Sequence, residues 1–277
     1  MITGMPRIAI AANDFDKITS TFRDQLGMPV IDFSESSVES LGAKLAMCVP
    51  THGSNIELMS PAVEDAPLSQ SLRRFLDHRG EGLFALMLEA PEPDEEAQRL
   101  IANGLNVLPL MQGAGGRDIH PNSVHGVLIR IYPVNSFQGV MEEPDDSMAL
   151  SGIQRVVIAV RDLTASNETY RDKLGLAAQA PNKDVERGVN SVLVYPPSGG
   201  MIELVSSADR RRPYADRIAK MIEDRGEGMF ELVLKTSDLG RAHETMSERG
   251  LTVDMSDDAL LISKTDTHGV QIRIETV

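Results

Sequence analysis

Internal repetition limits what this chain of 277 residues can fold into more than any other feature. Arg7 to Phe15, continued by Phe22 to Gly27, matches Arg155 to Leu163, continued by Tyr170 to Gly175. Asn55 to Ser60 matches Met201 to Ser206, Arg79 to Phe84 matches Arg225 to Phe230, and His125 to Ile131 matches His268 to Ile274. Five blocks in the same order call for one module built twice, since self-similarity over such a span marks a structural unit. The spacing puts the first module at residues 1–140 and the second at 150–277. The seam is the polar stretch Val134 to Met148, in which residues 141–149, around Glu142-Glu143-Pro144-Asp145-Asp146, read as an exposed linker.

Each module repeats a shorter pattern of strand, helix, then strands. Phe15 to Leu26 carries apolar residues at helical spacing and stops at Gly27. Pro93 to Gly104 does the same, with Ala97, Leu100 and Ile101 on one face and Asn103-Gly104 as the stop. β-rich runs follow each helix: Ala43 to Val49 and Ile56 to Met59 after the first, Val127 to Tyr132 after the second. The expected fold is therefore α+β, with four βαβββ units forming two modules. Helices would cover one face of each curved mixed sheet and leave the other face as a cup.

The net charge of -14 disfavours nucleic acid and anionic membranes as partners, because phosphate binding needs clustered Lys and Arg. Aromatic residues make up 4% of the chain and Trp is absent, which argues against stacking platforms for sugars or bases. A single cysteine, Cys48, rules out an intrachain disulfide, and its apolar strand context reads as core. No apolar run nears the roughly 20 residues needed to span a bilayer, and Met1 to Arg7 lacks a secretory signal, so a cytoplasmic location is expected. Arg79-Gly80-Glu81-Gly82 lacks the Lys-Ser/Thr ending of a phosphate loop, and no dedicated zinc spacing of His exists. Arg210-Arg211-Arg212 is a basic run in an acidic chain, either a solvated loop or a contact for ligand phosphates.

Ser60 to Leu68, Phe75 to Gly82 and His120 to Val127 are similar to matching stretches of the methylmalonyl-CoA epimerase-like branch of the vicinal-oxygen-chelate superfamily, which includes glyoxalases, bleomycin resistance proteins and extradiol dioxygenases. The resemblance covers nearly all of both modules. It implies a divalent metal at the centre of each cup, held by His and Glu from four equivalent strand positions. That metal would act as a Lewis acid toward two substrate oxygens. Carried over one by one, the first position holds Arg7 and Arg155, the second Glu57 and Glu203, the third Ala85 and Glu231, and the fourth Arg130 and Arg273. A guanidinium has no lone pair to give a metal, so no metal or other cofactor is expected in either module.

Two readings of these positions stay open. In one, paired guanidinium groups bind a carboxylate or phosphate, while in the other they form a salt-bridge network that fills the cup. On the first, Arg7 and Arg130 bind the anion and Glu57 acts as base. Phe84, His125, Arg155, Glu203, Glu231 and Arg273 are then the further candidates for ligand contact. His125 is expected at a cup rim, and any anion is expected in the first cup, where Ala85 leaves space and Arg7 and Arg130 face Glu57 alone.

The function implied by the resemblance is a metal-independent lyase or isomerase acting next to the carbonyl of a small acyl substrate, a CoA thioester or a carboxylate. The alternatives are a non-catalytic small-molecule binder and a metal-dependent dioxygenase. The chain would act as a monomer or a homodimer on a small anionic or acyl ligand.

Overall fold

The computed structural model describes residues 1–110, 115–137, 148, 150–256 and 258–277. Apart from Met148, the expected linker 141–149 lies outside the described residues.

The first module runs β1 (Gly4–Ala11), α1 (Phe15–Ser20), β2 (Val30–Asp32), α2 (Ser34–Leu41), β3 (Ala43–Cys48), β4 (Asn55–Pro61) and α3 (Pro67–Arg79). It continues with β5 (Gly82–Ala90), α4 (Pro93–Ala102), β6 (Arg117–Ile119) and β7 (Leu128–Pro133). The second module runs β8 (Arg155–Ala159), α5 (Leu163–Glu168), β9 (Ala177–Ala178), β10 (Asn182–Asp184), β11 (Val189–Tyr195), β12 (Met201–Ser207) and α6 (Pro213–Arg225). Then come β13 (Gly228–Thr236), α7 (Leu239–Glu248), β14 (Val253–Met255), β15 (Ala259–Ile262) and β16 (Gln271–Thr276). The α+β fold read from the sequence is the one observed, with two mixed sheets.

The sheets are ordered β2-β3-β4-β1-β5-β7-β6 and β10-β11-β12-β8-β13-β16-β15-β14, with β9 beside β11. In each, the first strands of the two half-units, β1 with β5 and β8 with β13, pair antiparallel at the centre. Their flanking strands run parallel to them. Equivalent residues keep equivalent registers: Ala9 lies beside Glu57 and Ala85, as Val157 lies beside Glu203 and Glu231. Each cup is thus built within one sheet.

Strand alternation divides the core. Ile8, Ile10, Leu86 and Leu88 pack on one face against Phe15, Ile18, Phe22 and Leu100 of the helical segments. This cluster continues without a break into Val156, Ile158, Tyr170 and Leu234, so the two modules share one core. Asp14 and Asp162 cap α1 and α5, accepting from Lys17 N and from Thr164 N and Ala165 N, which fixes where each helix starts. The segment expected to be helical from Phe15 to Leu26 turns from α-helix to a π-turn at Thr21–Gln25, and Thr169–Lys173 does the same in the second module.

The other face is not the open cup that the sequence suggested. Leu68, Leu72 and Leu76 recur every four residues along α3, and this stripe packs onto Ala9, Ala11, Ala85 and Met87. Tyr214, Ala215, Ile218 and Ile222 of α6 do the same over Val157, Ala159 and Val233. Among the described residues no helix is long and apolar enough to cross a membrane.

Candidate functional site

The strands bring Arg7, Glu57 and Arg130 to the concave face of the first sheet, each no more than 5% exposed. Arg7 donates from Nε to Glu57 Oε2 at 3.2 Å and from Nη1 to Ser136 Oγ at 3.2 Å, and its guanidinium carbon lies 4.4 Å from the Tyr132 ring centroid. Arg130 faces Asp118, its direct cross-strand neighbour. It donates to both carboxylate oxygens: Nε to Oδ1, and Nη2 to Oδ2 at 2.6 Å. Burial pulls the Arg130 pKa down, but Asp118 and Tyr132 together more than offset this and hold it above the ordinary arginine value.

Two expectations about the first cup are therefore corrected. Arg7 and Arg130 do not face Glu57 alone, because Asp118 supplies the second negative charge. Nor does Ala85 leave space: it is 1% exposed and packed with Leu72, Leu76, Phe84 and Met87. Asp118 escaped the sequence reading because it sits on a strand of three residues, too short to show alternation. A hairpin pairing of Arg117-Asp118-Ile119 against Ile129-Arg130-Ile131 was the signal that could have found it.

The second cup solves the same charge problem differently. Leu261 stands where Asp118 would be, directly beside Arg273. Arg273 turns instead to the central strand, where its Nε donates to Glu231 Oε1 at 3.3 Å. Tyr214 Oη donates to the same oxygen at 3.2 Å, while Glu231 Oε2 is buried with no hydrogen-bond partner. Burial pushes the Glu231 carboxyl up against the pull of the Arg273 and Arg217 charges, and burial together with Glu231 and Glu203 pushes the Tyr214 phenol up as well. Glu203 is shared by Arg155, at 3.1 Å, and by Arg187, whose Nη2 donates to it at 2.5 Å. Arg155 also pairs with Glu275 at 2.8 Å and Arg187 with Asp184 at 2.7 Å. Tyr214 and Arg187 were missed from the sequence because one lies on an unanticipated helix and the other in the turn before β11.

The second cup is also the more open one. The side chains of Arg155, Arg187 and Arg273 are 19–29% exposed, against 4–6% for Arg7 and Arg130. A β-bulge in each central pair, at Phe84 and at Phe230, lets two successive residues face the concave side. Phe84 thus packs beside Ala85.

His125 is not at a cup rim. It bridges the modules, with Nδ1 3.1 Å from Glu227 Oε2 and Nε2 3.3 Å from Thr169 Oγ1. His268 mirrors it, with Nδ1 3.0 Å from Glu81 Oε2 and Nε2 3.3 Å from Thr21 Oγ1 of the first module. The other oxygen of each glutamate accepts a backbone N–H, from Asn13 or Arg161. Gly126 and Gly269 follow at φ 77°. A Cβ on Gly126 would collide with the Glu227 carbonyl, and one on Gly269 with that of Glu81. The Gly-Glu-Gly and His-Gly repeats are thus the interlock of the two modules. Arg210 pairs with Asp216 and Glu223, and Arg211 with Asp209, so this run is a set of solvated bridges.

The four metal-ligand positions of each cup do not fit a divalent ion. Two of the four hold guanidinium groups, and Arg7, Arg155 and Arg273 already pair with Glu57, Glu203 and Glu231, the carboxylates a metal would need. Among the described residues no group of three His, Cys, Asp or Glu side chains could hold a metal.

Residues 7–120 match the family model of the Glyoxalase/Bleomycin resistance protein/Dioxygenase superfamily, and residues 156–277 match that of the glyoxalase-like domain. No curated protein matches the chain. Among solved structures, a mutant of 4-hydroxymandelate synthase from Streptomyces coelicolor is 12% identical with a TM-score of 0.69, covering 100% of this chain and 93% of that one. A xylose isomerase-like TIM barrel/4-hydroxyphenylpyruvate dioxygenase fusion protein is 13% identical with a TM-score of 0.66, and the alignment takes in 49% of that longer chain. At this identity both show the fold alone. Methylmalonyl-CoA epimerase from Mycobacterium tuberculosis is 25% identical over 49% of this chain and 92% of its own, with a TM-score of 0.42.

Proposed function

Because the chain belongs to the vicinal-oxygen-chelate superfamily, as two glyoxalase modules in tandem, we propose that it is a metal-independent lyase or isomerase moving a proton next to the carbonyl of a small acyl or carboxylate substrate. Residues 1–140 and 150–277 are its two modules, and the second cup is the working one.

The observation behind this assignment is Glu231. Its carboxyl is 1% exposed, and its Oε1 is shared by Tyr214 and Arg273 while its Oε2 has no partner. Glu231 is also paired with Arg273, but burial still raises its pKa, and a raised carboxyl with one oxygen free of partners is the stronger base. Glu57, the base expected from the sequence, is held by Arg7 at 3.2 Å. When Glu231 is protonated, Arg273 and Arg217 lose their ionised counter-charge and become available to a substrate carboxylate or enolate oxygen. Tyr214 and Arg273 hold Oε1, which leaves Oε2 as the oxygen that takes the proton. The first cup, with every charge paired and Ser136 against Arg7, is the structural half of the pair.

Exchange of solvent deuterium into the carbon next to the carbonyl, followed by NMR over a panel of short carboxylates and acyl thioesters, tests this reading. Exchange should disappear in Glu231→Gln and persist in Glu57→Gln. Exchange that survives Glu231→Gln, or that is lost only in Glu57→Gln, refutes it.

A further inference from the structure

Where the modules meet, a cavity of about 730 Å³ opens between the C-terminal halves of α3 and α6. Its lining differs from the rest of the protein in sign. Arg74, Arg79, Arg217, Lys220, Arg225 and Lys264 face it against only Glu81 and Asp224, in a chain whose net charge is -14. Glu81 is already committed to His268 and to the Asn13 backbone N–H. Lys220 is committed to Asp216 at 2.7 Å. Among the described residues Arg74, Arg79, Arg225 and Lys264 have no carboxylate within salt-bridge distance, and the buried Arg217 Nε has no hydrogen-bond partner.

Arg79 and Arg225 open the two copies of the Arg-Gly-Glu-Gly repeat. The glutamates of these turns lock the modules together, which carries the two guanidinium groups toward each other from opposite modules. Burial and the facing charge of Arg225 both lower the Arg79 pKa, as expected for like charges without a counter-ion. The rest of the wall carries the polar side chains of Ser71, His78, His120 and Gln271 and an apolar set, with Phe75 and Phe84 from the first module and Met221 and Phe230 from the second. Guanidinium pairs grip oxyanions bidentately, and a partly apolar cavity of this size suits a small organic molecule.

We propose that this seam cavity binds one amphiphilic anion per chain, a carboxylate, sulfate or phosphate carried on an apolar body. Arg79 and Arg225 clamp the charged group, and Phe75, Phe84, Met221 and Phe230 hold the body. The ligand touches both modules, so its binding also ties them together. The cavity shares Arg217 with the second cup, but its clamp is Arg79 and Arg225, which the proposed proton transfer does not use.

Calorimetric titration of the full chain with decyl sulfate, kept below its micellar concentration, tests the site, with sodium sulfate and 1-decanol as the two half-ligands. One site per chain is expected, with each half-ligand at least tenfold weaker. Arg79→Gln/Arg225→Gln should weaken decyl sulfate at least tenfold, while Arg211→Gln, an exposed arginine outside the cavity, leaves it unchanged. If that double variant does not fold, the exposed pair Arg74→Gln/Lys264→Gln serves, with at least a threefold loss expected. Several equivalent sites per chain, 1-decanol binding as tightly as decyl sulfate, or affinity surviving in the variants overturns the proposal.

Discussion

Removing Arg130 should cost stability rather than ligand binding, and the cost should depend on whether Asp118 is still present. Arg130 is 3% exposed and Asp118 7%, and they share two hydrogen bonds across neighbouring strands. Arg130→Met leaves the Asp118 carboxylate buried without its cation, and breaking a buried pair in this way costs about 3–5 kcal/mol. In a chain of this size that lowers the melting temperature by roughly 10 °C. The second module shows that an apolar residue is tolerated opposite the arginine, since Leu261 occupies the place of Asp118. Arg130→Met/Asp118→Leu should therefore regain most of the loss, giving a coupling energy of about 2–3 kcal/mol between the two sites. Denaturant unfolding followed by circular dichroism on the wild type, both single variants and the double variant measures this cycle. A single-variant cost below about 1 kcal/mol, or a double variant as unstable as the two singles summed, would refute the buried-pair argument.

The remaining expectations concern pH and accessibility. Glu231 has a raised folded-state pKa, so its contribution to stability is full below the unfolded value of 4.5 and is lost as pH rises through the folded value. Glu231→Gln should thus gain on the wild type as pH rises above 4.5 in paired thermal melts, and a gap independent of pH would refute this. Glu81 behaves in the opposite sense: burial pushes its carboxyl up, but the Asn13 backbone N–H and His268 pull it below 4.5 overall. Its stabilisation is present above pH 4.5 and fades as pH falls through the lower folded value, so the excess acid lability of the wild type over Glu81→Gln should appear only below pH 4.5. Cys48 is fully buried and its thiol is pushed up by burial, so a disulfide thiol reagent should modify it only after denaturation.

The sequence by itself determined the repeat, the α+β class and the strand positions that line each cup. Those features are carried by local periodicity and by blocks such as Arg7 to Phe15 and Arg155 to Leu163, which survive duplication because they build the same strand and helix start. It also placed a guanidinium, which has no lone pair to give a metal, at two of the four ligand positions of each cup. Tertiary structure alone decided which charge meets which. Asp118 answers Arg130 because a three-residue edge strand lies beside β7, whereas Glu231 answers Arg273 because the central strand supplies the carboxylate where Leu261 does not. The same holds for the histidines: nothing local to His125 or His268 says that each reaches a glutamate and a threonine of the other module. Charge pairing at close range depends on ångström-scale distances between residues far apart in the chain, and only the packed sheets and their shared core fix those distances.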